Sequence, residues 1–306
     1  MWNEFLGAVA LGLLWTLMTC GVYISYRVLD IADLTVEGSL TMGAAIAAVC
    51  IAAGIHPLLA LVLAALGGML AGLATGLLHT ALHIPALLSG ILTMIALWSI
   101  NLRIMSMKAN TPVNPDKYSL FLTLRSVPGA IWKGLLLAAV LIALLYWYFG
   151  TEQGSALRAT GNNPAMSRAQ GIHIGTMKVI GLGISNGIVA LAGGLMTQFQ
   201  GTADVSMGRG AIVIGLAAIV IGEILCDAIF SKGCNFAVKL CFIIFGGIVY
   251  YAVMVVILWL KLDPNDLKLF TAIIVAAFLA IPQLKARSKS SFSRSKKRAL
   301  SERSDA

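Results

Sequence analysis

The sequence predicts an all-α polytopic membrane protein with about nine transmembrane segments, built as an inverted repeat with discontinuous helices. Three observations carry that prediction. Hydrophobic residues fill 59% of the 306 positions and charged ones only 11%, outside the usual range of soluble globular chains. Apolar runs approaching the ~20 residues that a helix needs to cross a bilayer recur from end to end. The pattern Ala32-Asp33-Leu34-Thr35-Val36 returns as Ala203-Asp204-Val205-Ser206-Met207, each copy following a long apolar span and preceding glycine and a shorter span.

Taken in order, the first span runs Phe5–Arg27. Glu4 stands where a cleaved signal carries positive charge, and no small-residue cleavage site follows, so the span is expected to be retained. Ser39–Gly54, Pro57–His79, Pro85–Met107 and Ala130–Gly150 come next. Beyond a polar interval come Lys178–Gln200, Gly210–Glu223, Val238–Leu260 and Leu267–Ile281. Gly68, Gly72 and Gly76 recur every fourth residue, as do Gly183 and Gly187, and small residues at that spacing let helix backbones approach closely. Cys20, Cys50, Cys226, Cys234 and Cys241 lie in or beside apolar runs without metal-ligand or disulfide-framework spacing, and read as small packing residues. Residues 1–284 are therefore expected to form one transmembrane domain.

The net charge of +9 gathers at one end. Lys285, Arg287, Lys289, Arg294, Lys296, Lys297, Arg298 and Arg303 form a Ser-rich basic tail over residues 285–306. It is expected to be disordered and cytoplasmic, and to touch anionic membrane lipid rather than nucleic acid. Nine crossings with this tail inside place the N-terminus outside a plasma membrane. Of the 22 Lys and Arg, 14 then fall inside and 8 outside, and without the tail the balance is 6 against 8. Orientation rests on the tail and on the polar interval between the two halves.

Five expected crossings separate the two copies of the repeated pattern, and an odd number makes the two units face opposite ways, as in many transporters. Ionisable groups near a bilayer are costly and tend to be functional, so Asp33, Thr35, Glu37, Asp204, Ser206 and Arg209 are candidate pathway-lining residues. Capping is the competing reading for Asp33 and Asp204, whose carboxylates suit the first N–H groups of the following helices. Glu223 and Asp227 read as marking the end of a span.

The polar interval from Arg158 to Ile172 has the punctuation of a short helix. Asn163 suits the N-cap, Pro164 the first helical position, and Gly171 the left-handed residue that ends a helix. About two turns fit between them, with Ala165, Met166 and Ala169 on one face and Arg168 projecting elsewhere. Such a knob suits a partner's groove, and a helix lying on lipid is the alternative. The coupling candidates are Arg158, Asn163, Pro164, Met166, Arg168 and Gly171, within a loop over residues 151–177.

The run Ala156-Leu-Arg-Ala-Thr-Gly-Asn-Asn-Pro164 with Gly171-Ile172 resembles the coupling loop of ABC importer permeases of the branched-chain amino acid and ribose type. Lys178-Val-Ile-Gly-Leu-Gly-Ile-Ser-Asn-Gly187, Ala192-Gly-Gly-Leu195, Asp33-Leu-Thr-Val-Glu-Gly38 and the run from Gly210 to Glu223 resemble the same family, over residues 5–282 in all. The resemblance implies a permease that moves a small solute, an amino acid in the most similar subgroup, including tryptophan or other aromatic ones. It implies two copies of an ATP-hydrolysing subunit, a second permease (a copy or a sister chain) and an extracytoplasmic solute-binding protein. The chain itself is expected to be a transport subunit and not an enzyme. It has no Gly-x-x-x-x-Gly-Lys-[Ser/Thr] phosphate loop, no His-Glu-x-x-His metal motif and no Gly-x-Ser-x-Gly elbow, and no cofactor is expected. An ion-coupled secondary transporter, with Asp33, Glu37 and Asp204 carrying the ion, is the alternative.

Overall fold

The structure is a computed structural model that describes residues 2–115, 118, 120–230 and 235–259, together with positions 269, 272, 273, 276 and 280. The chain divides into two units, Met1–Val255 and Val256–Ala306, and the first holds the helical bundle. The helices are α1 (Trp2–Tyr23), α2 (Thr35–Ala52), α3 (Pro57–Thr80), α4 (Ala86–Ile104), α5 (Val127–Gly150), α6 (Glu152–Asn162), α7 (Pro164–Ala169), α8 (Ile174–Gln200), α9 (Ala211–Ile229) and α10 (Phe236–Trp259). A π-helical turn, Ile24–Val28, prolongs α1, and a 3-10 turn, Leu124–Ser126, leads into α5.

Seven stretches among the described residues are long and apolar enough to cross a membrane: Leu6–Val28, Thr35–Ala52, Pro57–Thr80, Ala86–Ile104, Leu124–Gly150, Ile174–Gln200 and Phe236–Val255. They match the first six expected spans and the eighth. The expected Gly210–Glu223 span becomes α9, which runs 19 residues and is not among the seven. The expected Leu267–Ile281 span falls mostly outside the described residues, and the basic tail over residues 285–306 falls entirely outside them.

The spine of the bundle is α8, buried along most of its length against α1, α2 and α3. The two glycine rows belong to one crossing. A Cβ on Gly68 or Gly72 would run into the Asn186 or Leu182 carbonyl of α8, and one on Gly76 would sit 2.7 Å from the Val179 Cα. From the other side, Gly183 and Gly187 face Leu73 and Met69 of α3. Gly43 against the Ala190 carbonyl and Gly193 against the Leu40 carbonyl join α2 to α8 in the same way. With no hydrophobic drive between helices in lipid, such backbone approach is what supplies packing. Leu29 meets Gly181 while Gly21 meets Ser185 and Val189, so α1 and α8 run antiparallel. Large apolar side chains such as Leu70, Trp132, Leu136 and Trp147 face outward, as lipid contact permits.

One feature adds to the expected all-α architecture, and a second corrects the reading of the cysteines. The connections after α4 and α8 pair as an antiparallel ribbon, β1 (Asn110–Pro112) with β2 (Thr202–Asp204), Thr111 opposite Ala203. Three residues per strand are too few for alternation to show in the sequence. Cys20, Cys50 and Cys241 are free, but Cys226 is disulfide-bonded and not merely a packing residue.

Candidate functional site

The polar interval folds as two helices rather than one. Thr151 caps α6, its Oγ1 accepting from the Gly154 N–H at 3.3 Å. Gly154 lies on the Tyr148 carbonyl and Gly161 on the Val28 carbonyl, contacts that leave no room for a Cβ at either position. Buried Leu157 and Thr160 hold the same face of α6 to the bundle. The Arg158 guanidinium donates to the Phe149 carbonyl at 2.7 Å and lies 5.7 Å over the Phe236 ring, so it braces α6 from within the chain.

At Asn163 the chain turns into α7. The Asn163 Oδ1 accepts from the Met166 N–H at 3.0 Å, and Pro164 takes the first helical position, where its missing N–H costs nothing. The end is a Schellman motif: Gly171, at φ +82°, donates its N–H to the Arg168 carbonyl, and the Ile172 N–H reaches the Ser167 carbonyl, both at 3.0 Å. Ser167 alone within α7 is buried, its Oγ donating to the Asn163 carbonyl at 3.0 Å. Met166 is 59% exposed and Arg168 also projects. Of the six candidates in this interval, Asn163, Pro164 and Gly171 shape the knob, Met166 and Arg168 are its outward surface, and Arg158 is spent on its support.

The other six candidates occupy three settings. Asp33 and Thr35 sit inside the bundle, at the break between the π-helical turn and α2. Asp33 is 2% exposed; its Oδ1 accepts from the Thr35 N–H at 2.9 Å and its Oδ2 from Asn186 Nδ2 at 2.6 Å. Asp33 lies between two spans; burial pushes its carboxyl above the ordinary value, and the bonds from Thr35 and Asn186 act the other way. Asn186 also accepts from the Ser39 hydroxyl at 2.7 Å, and the Thr35 and Thr75 hydroxyls pair at 2.7 Å. Asp204 and Ser206 sit where the ribbon ends, the Asp204 Oδ1 accepting from the Ser206 N–H at 2.6 Å and from its hydroxyl. The two aspartates thus make the same turn, each onto the residue two positions on.

Glu37 and Arg209 come together at a cavity of about 530 Å³, whose wall also includes Thr41, Trp98 and Asn101. The Arg209 guanidinium lies 4.7 Å over the Trp98 ring. Glu37, in the first turn of α2, accepts from the Gly210 N–H at 2.9 Å, and Thr41 accepts from the Gly208 N–H at 3.2 Å. The segment after β2 therefore seats on the start of α2. Asn186, Trp98 and Asn101 escape sequence reasoning as site residues. A polar Asn in the middle of an apolar, glycine-rich span was the available signal for Asn186. Trp98 in an apolar helix gives none. No group of three or more His, Cys, Asp or Glu fit to hold a metal occurs among the described residues.

Seven long apolar helices among the described residues, a buried aspartate between the first two and a capped knob at one end of the bundle fit a multi-pass membrane permease. The chain belongs to the permease component family of branched-chain amino acid transport systems, whose sequence pattern matches residues 5–282, and is a permease of the ABC-transporter kind. It is 42% identical over 272 residues, 89% of each chain, to the tyrosine transport system permease protein of Clostridioides difficile (strain R20291). It is 33% identical over 288 residues to an uncharacterised protein of Rickettsia prowazekii (strain Madrid E), covering 92% of this chain and 98% of that one. The ribose import permease of Escherichia coli (strain K12) is 25% identical over 222 residues, 70% of this chain and 64% of its own. No solved structure matches the chain.

Proposed function

We propose that this chain is the pathway-forming subunit of an ATP-driven importer that takes up an amino acid delivered by an extracytoplasmic binding protein. It works beside a second permease, a copy of itself or a sister chain, and one of two ATP-hydrolysing subunits docks on its α6 and α7. That end of the bundle faces the cytoplasm of a plasma membrane, which puts the N-terminus outside and the C-terminus, with its basic tail, inside. Nine crossings arranged as an inverted repeat fit this reading, and the antiparallel α1 and α8 with their matching Asp33 and Asp204 turns support it. Glu37 and Arg209 line the path. Asp33, Thr35, Asp204 and Ser206 shape the broken segments beside it.

The observation that carries the proposal is α7: capped at both ends, anchored on α6, and exposed everywhere but Ser167. A connection that merely reverses the chain does not require such a device. A rigid lever transmits motion between subunits only where its docking free energy differs between the partner's two states. ATP-driven closure of the paired ATPases then moves α7 and α6, and with them α5, α8 and the break at Asp33. The test is Met166→Asp combined with Arg168→Glu, assayed for ATPase co-purification and for ATP-driven uptake. Both are expected to be lost while the permease still assembles in the membrane. Unchanged co-purification and uptake would refute the docking assignment.

A further inference from the structure

The cavity beside α2 and α4 carries three polar groups with unused bonding capacity, and they are of complementary kinds. The Arg209 guanidinium lies 4.7 Å over the Trp98 ring, yet among the described residues it donates to no carboxylate or carbonyl. The Glu37 carboxylate spends one oxygen on the Gly210 N–H, and its other oxygen has no hydrogen bond among those residues. Asn101, 1% exposed, gives its Nδ2 to the Gly38 carbonyl at 3.1 Å and leaves its Oδ1 without a partner. Unpaired buried polar atoms are rare and call for an explanation, of which a missing ligand is one. Trp98, Met94 and Ile95 give the wall an apolar stretch beside the Thr41 and Ser99 hydroxyls, and about 530 Å³ lies within the roughly 300–1,000 Å³ of small-molecule sites.

We infer that this cavity is a transit site for a zwitterionic aromatic amino acid, its carboxylate on Arg209, its ammonium between Glu37 and Asn101, and its ring on the Trp98 wall. The inference rests on the importer reading for its place on the pathway, though not for the binding itself. Planar guanidinium suits a carboxylate bidentately, and its contact with the indole ring holds it at the cavity wall in advance. A solute bearing only one of the two charges leaves the opposite group unpaired, which is how polar sites discriminate. The Gly208 and Gly210 N–H groups bond to α2, which seats Arg209 beside Glu37, so the two ends of the site come from the two copies of the repeated pattern.

The test is saturation-transfer NMR on the full chain in nanodiscs, with any subunits that co-purify, using L-tyrosine, tyramine (no carboxylate) and 3-(4-hydroxyphenyl)propionate (no ammonium) as probes. L-Tyrosine is expected to bind roughly ten-fold or more tightly than either analogue. Arg209→Gln erases the preference over tyramine but keeps the preference over the propionate, and Glu37→Gln does the reverse. Arg209→Lys, which keeps the charge, retains a preference over tyramine and guards against a folding artefact. Equal binding of all three probes by the natural chain, or an unchanged order in both neutralised variants, overturns the site. ATP-driven L-tyrosine uptake measured in parallel separates the two claims: uptake without selective binding refutes the site alone, and selective binding without uptake refutes the importer reading alone.

Discussion

Replacing Asn186 by Leu removes a junction while nearly preserving volume. Asn186 makes three hydrogen bonds: to the Asp33 carboxylate at 2.6 Å, to the Leu182 carbonyl at 3.0 Å, and from the Ser39 hydroxyl at 2.7 Å. A bond to a charged group contributes about 1.5–3 kcal/mol, and a buried hydroxyl left unpaired costs about 1–3 kcal/mol. Membrane helices that come apart in lipid find other partners, which trims such terms toward ~0.6–1.7 kcal/mol per bond. The net expectation is a loss of about 2–4 kcal/mol, or a fall of roughly 3–6 °C in the apparent melting temperature of a chain this size. The assay is thermal unfolding of the purified protein in a fixed detergent. Asp33→Leu combined with Asn186→Leu is expected to cost less than the sum of the two single changes by about 1–3 kcal/mol, because both partners leave together. A fall below about 2 °C, or strict additivity, would refute the view that Asp33 is a buried anchor rather than a group facing the path.

Single positions give further expected outcomes. Gly72→Ala pushes a methyl against the Leu182 carbonyl and to 2.9 Å from the Asn186 Cβ, and lowers stability by about 1–3 kcal/mol. Gly175→Ala meets nothing nearer than 3.7 Å and gains the ~0.5–1 kcal/mol of helix propensity, so the pair should shift the melting temperature in opposite directions. Gly171→Val places a branched side chain at φ +82° and breaks the Schellman end of α7. Because that helix projects from the bundle, ATPase co-purification is expected to fall while the melting temperature stays near that of the natural chain. Asn163→Ala loses a cap worth about 1 kcal/mol and should give a milder version of the same defect.

The local grammar of this chain is readable in advance because its causes are local. Asn163, Pro164 and Gly171 specify a helix by their own conformational limits, and the structure has α7 between them. The glycine rows at 68, 72, 76 and at 183, 187 announce close approach, although that they face one another across one crossing needs three dimensions. What escapes is whatever depends on distant partners. The β1–β2 ribbon joins segments some ninety residues apart over three pairs, too short to leave a periodic trace. The bonds of Asn186 to Asp33 and Ser39 span 153 and 147 positions, and the pairing of Arg209 with Trp98 is equally remote. Arg158 reads as a coupling residue until Phe149 and Phe236 are seen beside it. The α6 helix was hidden because its glycines, Gly154 and Gly161, lower helix propensity while being the residues that let it lie on the bundle.

On the proposed function, α7 is where an ATPase subunit holds this permease. The most direct measurement places a photo-crosslinking amino acid at Met166, the 59% exposed residue of the knob, in the full transporter in its native membrane. A light-dependent adduct with an ATP-hydrolysing subunit is expected, with an efficiency that changes between nucleotide-free and ATP-trapped states. Adducts to lipid alone, in membranes that still take up solute on ATP, would contradict it.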